Sequence, residues 1–159
     1  MRKYNRAEKQ LRLERTDTKY IATAEIQLTY ADTDMMGIIY HGNYVKFLEL
    51  GRSALIAEAG FNYLEMEQLG YYAPVYNLEI TYKKPIRFGE RVFVKTWIEE
   101  NKRSRTVYGF EIVKGIENVE TCAIGTTTHI VVHGKNFRPV PFNKAFPEWF
   151  QKYEEIKKR

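Results

Sequence analysis

The chain has 159 residues, enough for one domain with a sizeable core, and its 44% apolar and 28% charged content excludes disordered and collagen-like classes. No apolar run approaches the ~18–20 residues that span a bilayer. The charged opening MRKYNRAEKQLRLERTDTK lacks the apolar stretch of a secretory signal, and a lone Cys122 rules out an intramolecular disulfide or a multi-cysteine metal site.

These features point to the cytoplasm. The net charge of +5 favours an anionic partner without choosing among nucleic acid, phosphorylated cofactor and acidic membrane surface. Twelve tyrosines and nine phenylalanines suit interfaces or ligand slots.

Residues 1–20 alternate positive and negative charge, with Leu11 and Leu13 too sparse to build a core. They are expected to form a mobile arm ahead of a single domain spanning 21–159. A strand is predicted next, because Ala22, Ala24, Ile26, Leu28 and Tyr30 alternate with Thr23, Glu25, Gln27 and Thr29. It stops at Ala31-Asp32-Thr33-Asp34, small polar residues that invite a turn or cap.

The segment 43–59 predicts the main helix, with Asn43 as its N-cap and Gly60 as its stop. Tyr44, Phe47, Leu48, Gly51, Ala54, Leu55 and Ala59 share one arc, and Val45, Leu50, Ile56 and Ala57 extend the apolar surface beyond it. A helix apolar nearly all round is enclosed by protein.

From Tyr71 onward the pattern is that of strands, at 76–83, 92–98, 108–112 and 122–133. Pro85 and Phe88-Gly89-Glu90 mark a bend, Asn101-Lys102-Arg103-Ser104-Arg105 a basic turn, and 115–118 a hairpin. After Arg138-Pro139-Val140-Pro141, a short amphipathic helix carries Phe146, Trp149 and Phe150. Strands in an unbroken meander pair antiparallel, and one helix must cover one face of the sheet. The predicted class is α+β.

Residues 30–44 hold two carboxylates, one imidazole, two glycines and three tyrosines between the first strand and the buried helix. A helix start exposes unpaired N–H groups and a positive dipole end. A carboxylate and an imidazole held there could do acid–base or nucleophilic work on a carbonyl. By spacing alone, the carboxylates could equally cap a turn while Gly37 and Gly42 permit backbone bends. Glu49 and Arg52 are spaced to pair on the helix. His129 and His133 stand ~13 Å apart along a strand, too far for one ion, so no metal is assigned. Cys122 reads as core.

The run Tyr30-x-Asp32-x-Asp34-x-x-Gly37-Ile38-x-Tyr40-x-x-Asn43-Tyr44 resembles the signature of the hot-dog-fold thioesterases, in the branch typified by 4-hydroxybenzoyl-CoA thioesterase. The resemblance continues through Phe47, Glu49 and Arg52, then Tyr82-x-x-Pro85 and Gly89-Glu90, and covers roughly residues 22–150. It implies an antiparallel sheet wrapped around one long central helix, assembled as a homodimer or homotetramer. It also implies an acyl-CoA thioesterase without metal or dissociable cofactor, coenzyme A being part of the substrate.

In such a site Asp34 would be nucleophile or general base, and the N–H at His41 would polarise the thioester carbonyl. Asp32 would hold the turn, and the His41 side chain could orient water or substrate. Tyr40, Asn43 and Tyr44 would border the substrate, and Lys102, Arg103 and Arg105 would hold the coenzyme A phosphates. Lys83, Lys84 and Arg87 form a second basic cluster that could serve the same nucleotide from a neighbouring subunit. An acyl carrier protein thioester is the nearest variant substrate, and a non-catalytic acyl-ligand-binding or regulatory protein is the alternative class. Neither a nucleic-acid nor a membrane partner is expected.

Overall fold

A computed structural model describes residues 13–159. Six strands form one antiparallel sheet: β1 (Glu14–Arg15), β2 (Tyr20–Ile26), β4 (Val75–Tyr82), β5 (Val92–Lys102), β6 (Arg105–Lys114) and β7 (Glu120–His129). Their spatial order is β1-β2-β5-β6-β7-β4. The short strands β3 (Tyr71–Tyr72) and β8 (Val132–His133) pair separately.

Most of the arm expected over 1–20 lies outside the described residues. Its last part belongs to the sheet, since Glu14 and Arg15 pair with Ile21 and Tyr20. β2 ends at Ile26, earlier than its alternation suggests. Tyr30–Asp32 instead form a 3-10 turn, because the Asp32 carboxylate draws in the Thr29 N–H at 2.8 Å and closes a capping box.

The strands are not a simple meander. β4 pairs with β7 at the far edge rather than with β5, which lies between β2 and β6. The 83–91 connection crosses the end of the sheet to make this possible. The N–H groups of Lys83 and Lys84 share the Cys122 carbonyl on β7, and Lys114 Nζ on β6 donates to the Pro85 carbonyl at 2.8 Å. Ile86, fully buried, anchors the crossing.

Helix α1 (Tyr44–Glu58) packs on β2 and β5. Its Phe47, Leu48, Leu55 and Ile56 join Val92, Val94, Ile98, Phe110 and Ile112 in one core. Each such side chain contributes about 1.5–3 kcal/mol when fully buried. Gly51 allows the close approach: a Cβ there would collide with Thr96 Oγ1 and stand 2.8 Å from Val94 Cγ2.

A second helix, α2 (Tyr63–Gln68), escapes the sequence pattern and is capped by Asn62, whose side chain accepts the Leu64 N–H at 2.9 Å. The expected C-terminal helix is two, α3 (Phe142–Ala145) and α4 (Pro147–Ile156), because Pro147 can start a helix but cannot continue one. α4 buries Trp149, Tyr153 and Ile156; Trp149 stacks on Phe61 with centroids 4.9 Å apart, and the Tyr153 and Tyr108 hydroxyls bond at 2.8 Å.

Candidate active site

Residues 32–40 fold into a miniature hairpin. Thr33 and Ile39 form an antiparallel bridge, Asp34 N–H donates to Ile38 O at 2.9 Å, and Tyr40 N–H donates to Asp32 O at 2.8 Å. Gly37 turns the corner at φ +75°, a conformation costly for residues with a Cβ. Asp34 Oδ1 accepts the Met36 N–H at 2.8 Å, which aims the half-buried carboxylate across the turn. The spacing D-x-x-G is thus the spacing of this turn.

The two carboxylates do different work. Asp32 is buried, accepts from the Thr29 N–H and hydroxyl and pairs with Lys46 at 3.2 Å. The Thr29 main-chain bond is the largest influence on its carboxyl; burial opposes it, and the net result lies below the usual range. Asp32 holds the turn, as expected.

Tyr40 leads into a 3-10 turn over His41–Asn43 that runs directly into α1. Among the described residues no side chain caps it, and the N–H groups of its first two residues, His41 and Gly42, cannot reach a carbonyl of the same helix. At Gly42 a Cβ would meet the Tyr40 ring at 2.6 Å, so the glycine lets that ring lie against the turn. Asn43 stands at the N-cap position of α1, as expected, but it does not cap with its side chain: its backbone is helical, and its side chain donates to Asp32 O at 3.0 Å, bracing the hairpin against the helix.

A groove of about 300 Å³ is lined by Asp34, Met36, His41, Tyr44, Tyr82 and Lys83, among others. It brings together Asp34, His41 and Tyr44 from the expected set, whereas Tyr40 and Asn43 lie outside its lining. The His41 ring rests against Tyr40 and edge-on to Tyr82, at 4.5 and 6.3 Å between centroids. Tyr44 is buried with its ring against Tyr82, and burial pushes its hydroxyl up to about 12, so it remains protonated.

Tyr82, Lys83 and Lys84 also line the groove. Their approach to Asp34 depends on the β4–β7 pairing, which sequence periodicity does not reveal. Lys83 and Lys84 were expected at the nucleotide of a neighbouring subunit and instead line the groove of their own chain, while Tyr82 carries only the Tyr82-x-x-Pro85 spacing as a signal.

The basic turn at 102–105 is elsewhere. Thr106 and Val75 both pair with His129, so that turn stands beyond the Val75 end of β4 while the groove lies at its Tyr82 end. Seven residues at strand rise separate the ends by roughly 23 Å. Lys102 and Arg105 both pair with Glu100, leaving Arg103 without an ion pair among the described residues. The turn therefore lies at the opposite end of β4 from the groove of its own chain. Glu49 and Arg52 do pair, at 3.0 Å, and Cys122 is fully buried.

An antiparallel sheet wrapped on one long helix, with an acidic turn at the helix start, defines the hot-dog fold. The chain belongs to the thioesterase superfamily, whose pattern matches residues 36–121. It is 44% identical over 139 residues to YneP of Bacillus subtilis (strain 168), provisionally described as an acyl-CoA thioesterase; the alignment covers 87% of this chain and 99% of that one. The crystal structure of the DHNA-CoA thioesterase from Staphylococcus aureus superposes with a TM-score of 0.81 at 36% identity, covering 87% of this chain and 99% of that one. A 4-hydroxybenzoyl CoA thioesterase shares the fold at TM-score 0.73 and 14% identity, covering 81% and 97% of the two chains.

Proposed function

We propose that the protein hydrolyses acyl-CoA thioesters in this groove. The carrying observation is that Asp34 and the start of α1 border the same cavity, with uncapped N–H groups at His41 and Gly42. Attack on a thioester carbonyl builds negative charge on oxygen, and a fixed N–H donor stabilises that charge without reorganising. Losing one such donor costs about 10²–10³ in rate.

Asp34 either takes a proton from water as it attacks the carbonyl carbon, or attacks directly and is released by water in a second step. In both cases the C–S bond breaks, the sulfur leaves with a proton as the coenzyme A thiol, and the acyl group leaves as a free acid. Lys83 and Lys84, at the groove itself, suit the nucleotide phosphates of the substrate. Lys102, Arg103 and Arg105, at the other end of β4, are the second candidates for those phosphates. Acyl-CoAs of graded chain length, assayed by thiol release, test this reading: turnover is expected for part of the series, and its absence throughout contradicts it.

A further inference from the structure

A cleft of about 960 Å³, larger than the groove, opens between the tip of the β5–β6 hairpin, the segment 139–144 and one face of α4. Small-ligand sites occupy roughly 300–1,000 Å³. The walls are fastened to one another. Phe142 N–H donates to Arg103 O at 2.8 Å, and Asn101 Nδ2 donates to Phe150 O at 3.3 Å and to Glu154 Oε1 at 2.9 Å. Asn101, Thr106, His129 and Val75 form one row across the sheet, so the hairpin tip stands three strands, about 14 Å, from the β4 edge. The groove lies at the other end of β4, and a copy pairing along β4 would meet the opposite side of the sheet from α4.

Its lining makes three chemical demands. The first is for negative charge. Arg103 and Lys144 are exposed and have no ion pair among the described residues, while Lys102 pairs with Glu100. Glu154, the carboxylate of the lining, is engaged by Asn101 and by Lys157 at 2.6 Å. Glu148 and Glu155 fall on other faces of α4, so the cleft stays net positive. The second demand is for a flat apolar body, set by the wall of Val140, Pro141 and Phe150. The third is for a hydrogen-bond donor: the Asn143 side-chain oxygen is buried at the cleft without a partner among the described residues. An acceptor left buried and unpaired is costly.

The geometry points to a second binding site here, for a free nucleoside phosphate. Its phosphate meets Arg103 and Lys144, its base lies on Val140, Pro141 and Phe150, and one of its N–H or O–H groups donates to Asn143 Oδ1. Inorganic phosphate meets only the first of the three demands, and an apolar molecule only the second. Thioester hydrolysis uses no free nucleotide, so this ligand is held apart from the reaction. Coenzyme A carries the same nucleotide chemistry, and the experiment separates the two sources.

The test is equilibrium dialysis of the full chain against ADP, adenosine and inorganic phosphate, with thiol release from an acyl-CoA measured on the same samples. ADP should bind more tightly than adenosine or phosphate, and less tightly at high salt. Lys144→Glu, at an exposed position, should weaken ADP binding about tenfold, as expected for losing one charge-assisted hydrogen bond, and leave kcat and KM for acyl-CoA unchanged. Arg103→Gln should weaken ADP binding likewise, and serves should the first variant fold poorly. The assignment is overturned if ADP does not bind, or if phosphate binds as tightly as ADP. ADP binding that both substitutions leave unchanged overturns it too, since the nucleotide would then sit in the groove. So does a KM for acyl-CoA that rises as Lys144→Glu loses ADP, which gives the cleft to the nucleotide of a substrate held by a neighbouring copy. Absence of thiol release by the wild type contradicts the thioesterase reading alone, because ADP binding is read without it.

Discussion

The Tyr82 hydroxyl donates to the main-chain oxygen of His41 at 2.8 Å, so the edge strand β4 fixes the start of the buried helix. Burial, and then the neighbouring Tyr40, raise the Tyr82 hydroxyl above its usual range, and it stays a donor. The bond links two segments forty-one residues apart at the helix start whose N–H groups are proposed to face the thioester carbonyl.

Replacing Tyr82 by Phe should keep the ring packing and remove only this bond. The expected stability loss is about 0.5–1.5 kcal/mol, the usual net contribution of one hydrogen bond. Turnover should fall more than KM rises, because the donor geometry matters most in the transition state. Unchanged kcat in the folded variant would show that the anchor has no part in positioning the helix start.

His129 makes stability sensitive to acid. Its ring is buried with Nδ1 2.9 Å from the Ala73 carbonyl and Nε2 3.0 Å from the Thr127 hydroxyl. A carbonyl only accepts, so Nδ1 carries the proton and Nε2 accepts from Thr127. Burial first, then the Arg52 charge, lower its pKa from 6.5 to about 4. The unfolded chain therefore binds the proton more readily, and stability that is complete above pH 6.5 is lost as pH falls toward 4. Asp32, depressed below its usual value, adds a further loss at lower pH. Melting temperatures across this window should drop for the wild type, and much less for His129→Gln. Parallel curves for the two proteins would remove His129 as the cause.

Among the described residues, strand β4 leaves one edge unpaired over eight residues, with Val75, Tyr76 and Tyr82 exposed along it. Open edges of this length are normally covered. Antiparallel pairing of two copies along β4 would set the Val75 end of one against the Tyr82 end of the other, bringing a neighbour's residues to each groove. Sedimentation at micromolar concentration should show a dimer or tetramer, and a single 18.8 kDa species would contradict this.

How far the fold could be read from the sequence follows from which interactions are local. The buried helix was legible because its apolar run from Tyr44 ends at Gly60, and β5 because Val92, Val94, Thr96 and Ile98 alternate with outward residues. Alternation marks strands but not their neighbours, so the β4–β7 pairing was hidden. Asn43 looked like a cap because its type favours caps, yet its side chain found the Asp32 carbonyl eleven residues back. Asp34, His41 and Tyr44 were legible as one short motif. Tyr82, Lys83 and Lys84 reach the groove only through the sheet, and the same pairing sets the 102–105 turn at the other end of β4.

The most direct measurement compares thiol release from an acyl-CoA by wild type, Asp34→Asn and Asp32→Asn, with a melting curve for each. A neutral amide at position 34 can neither attack the thioester nor take a proton from water, so turnover should be abolished with the melting temperature kept. Asp32→Asn should lower the melting temperature, because the Thr29 and Lys46 contacts lose their charge. Asp34→Asn retaining more than roughly a few per cent of wild-type turnover, when a lost general base alone should cost about 10²–10⁴-fold, would contradict the assignment. So would an inactive Asp32→Asn with an unchanged melting temperature, which would reverse the roles of the two carboxylates.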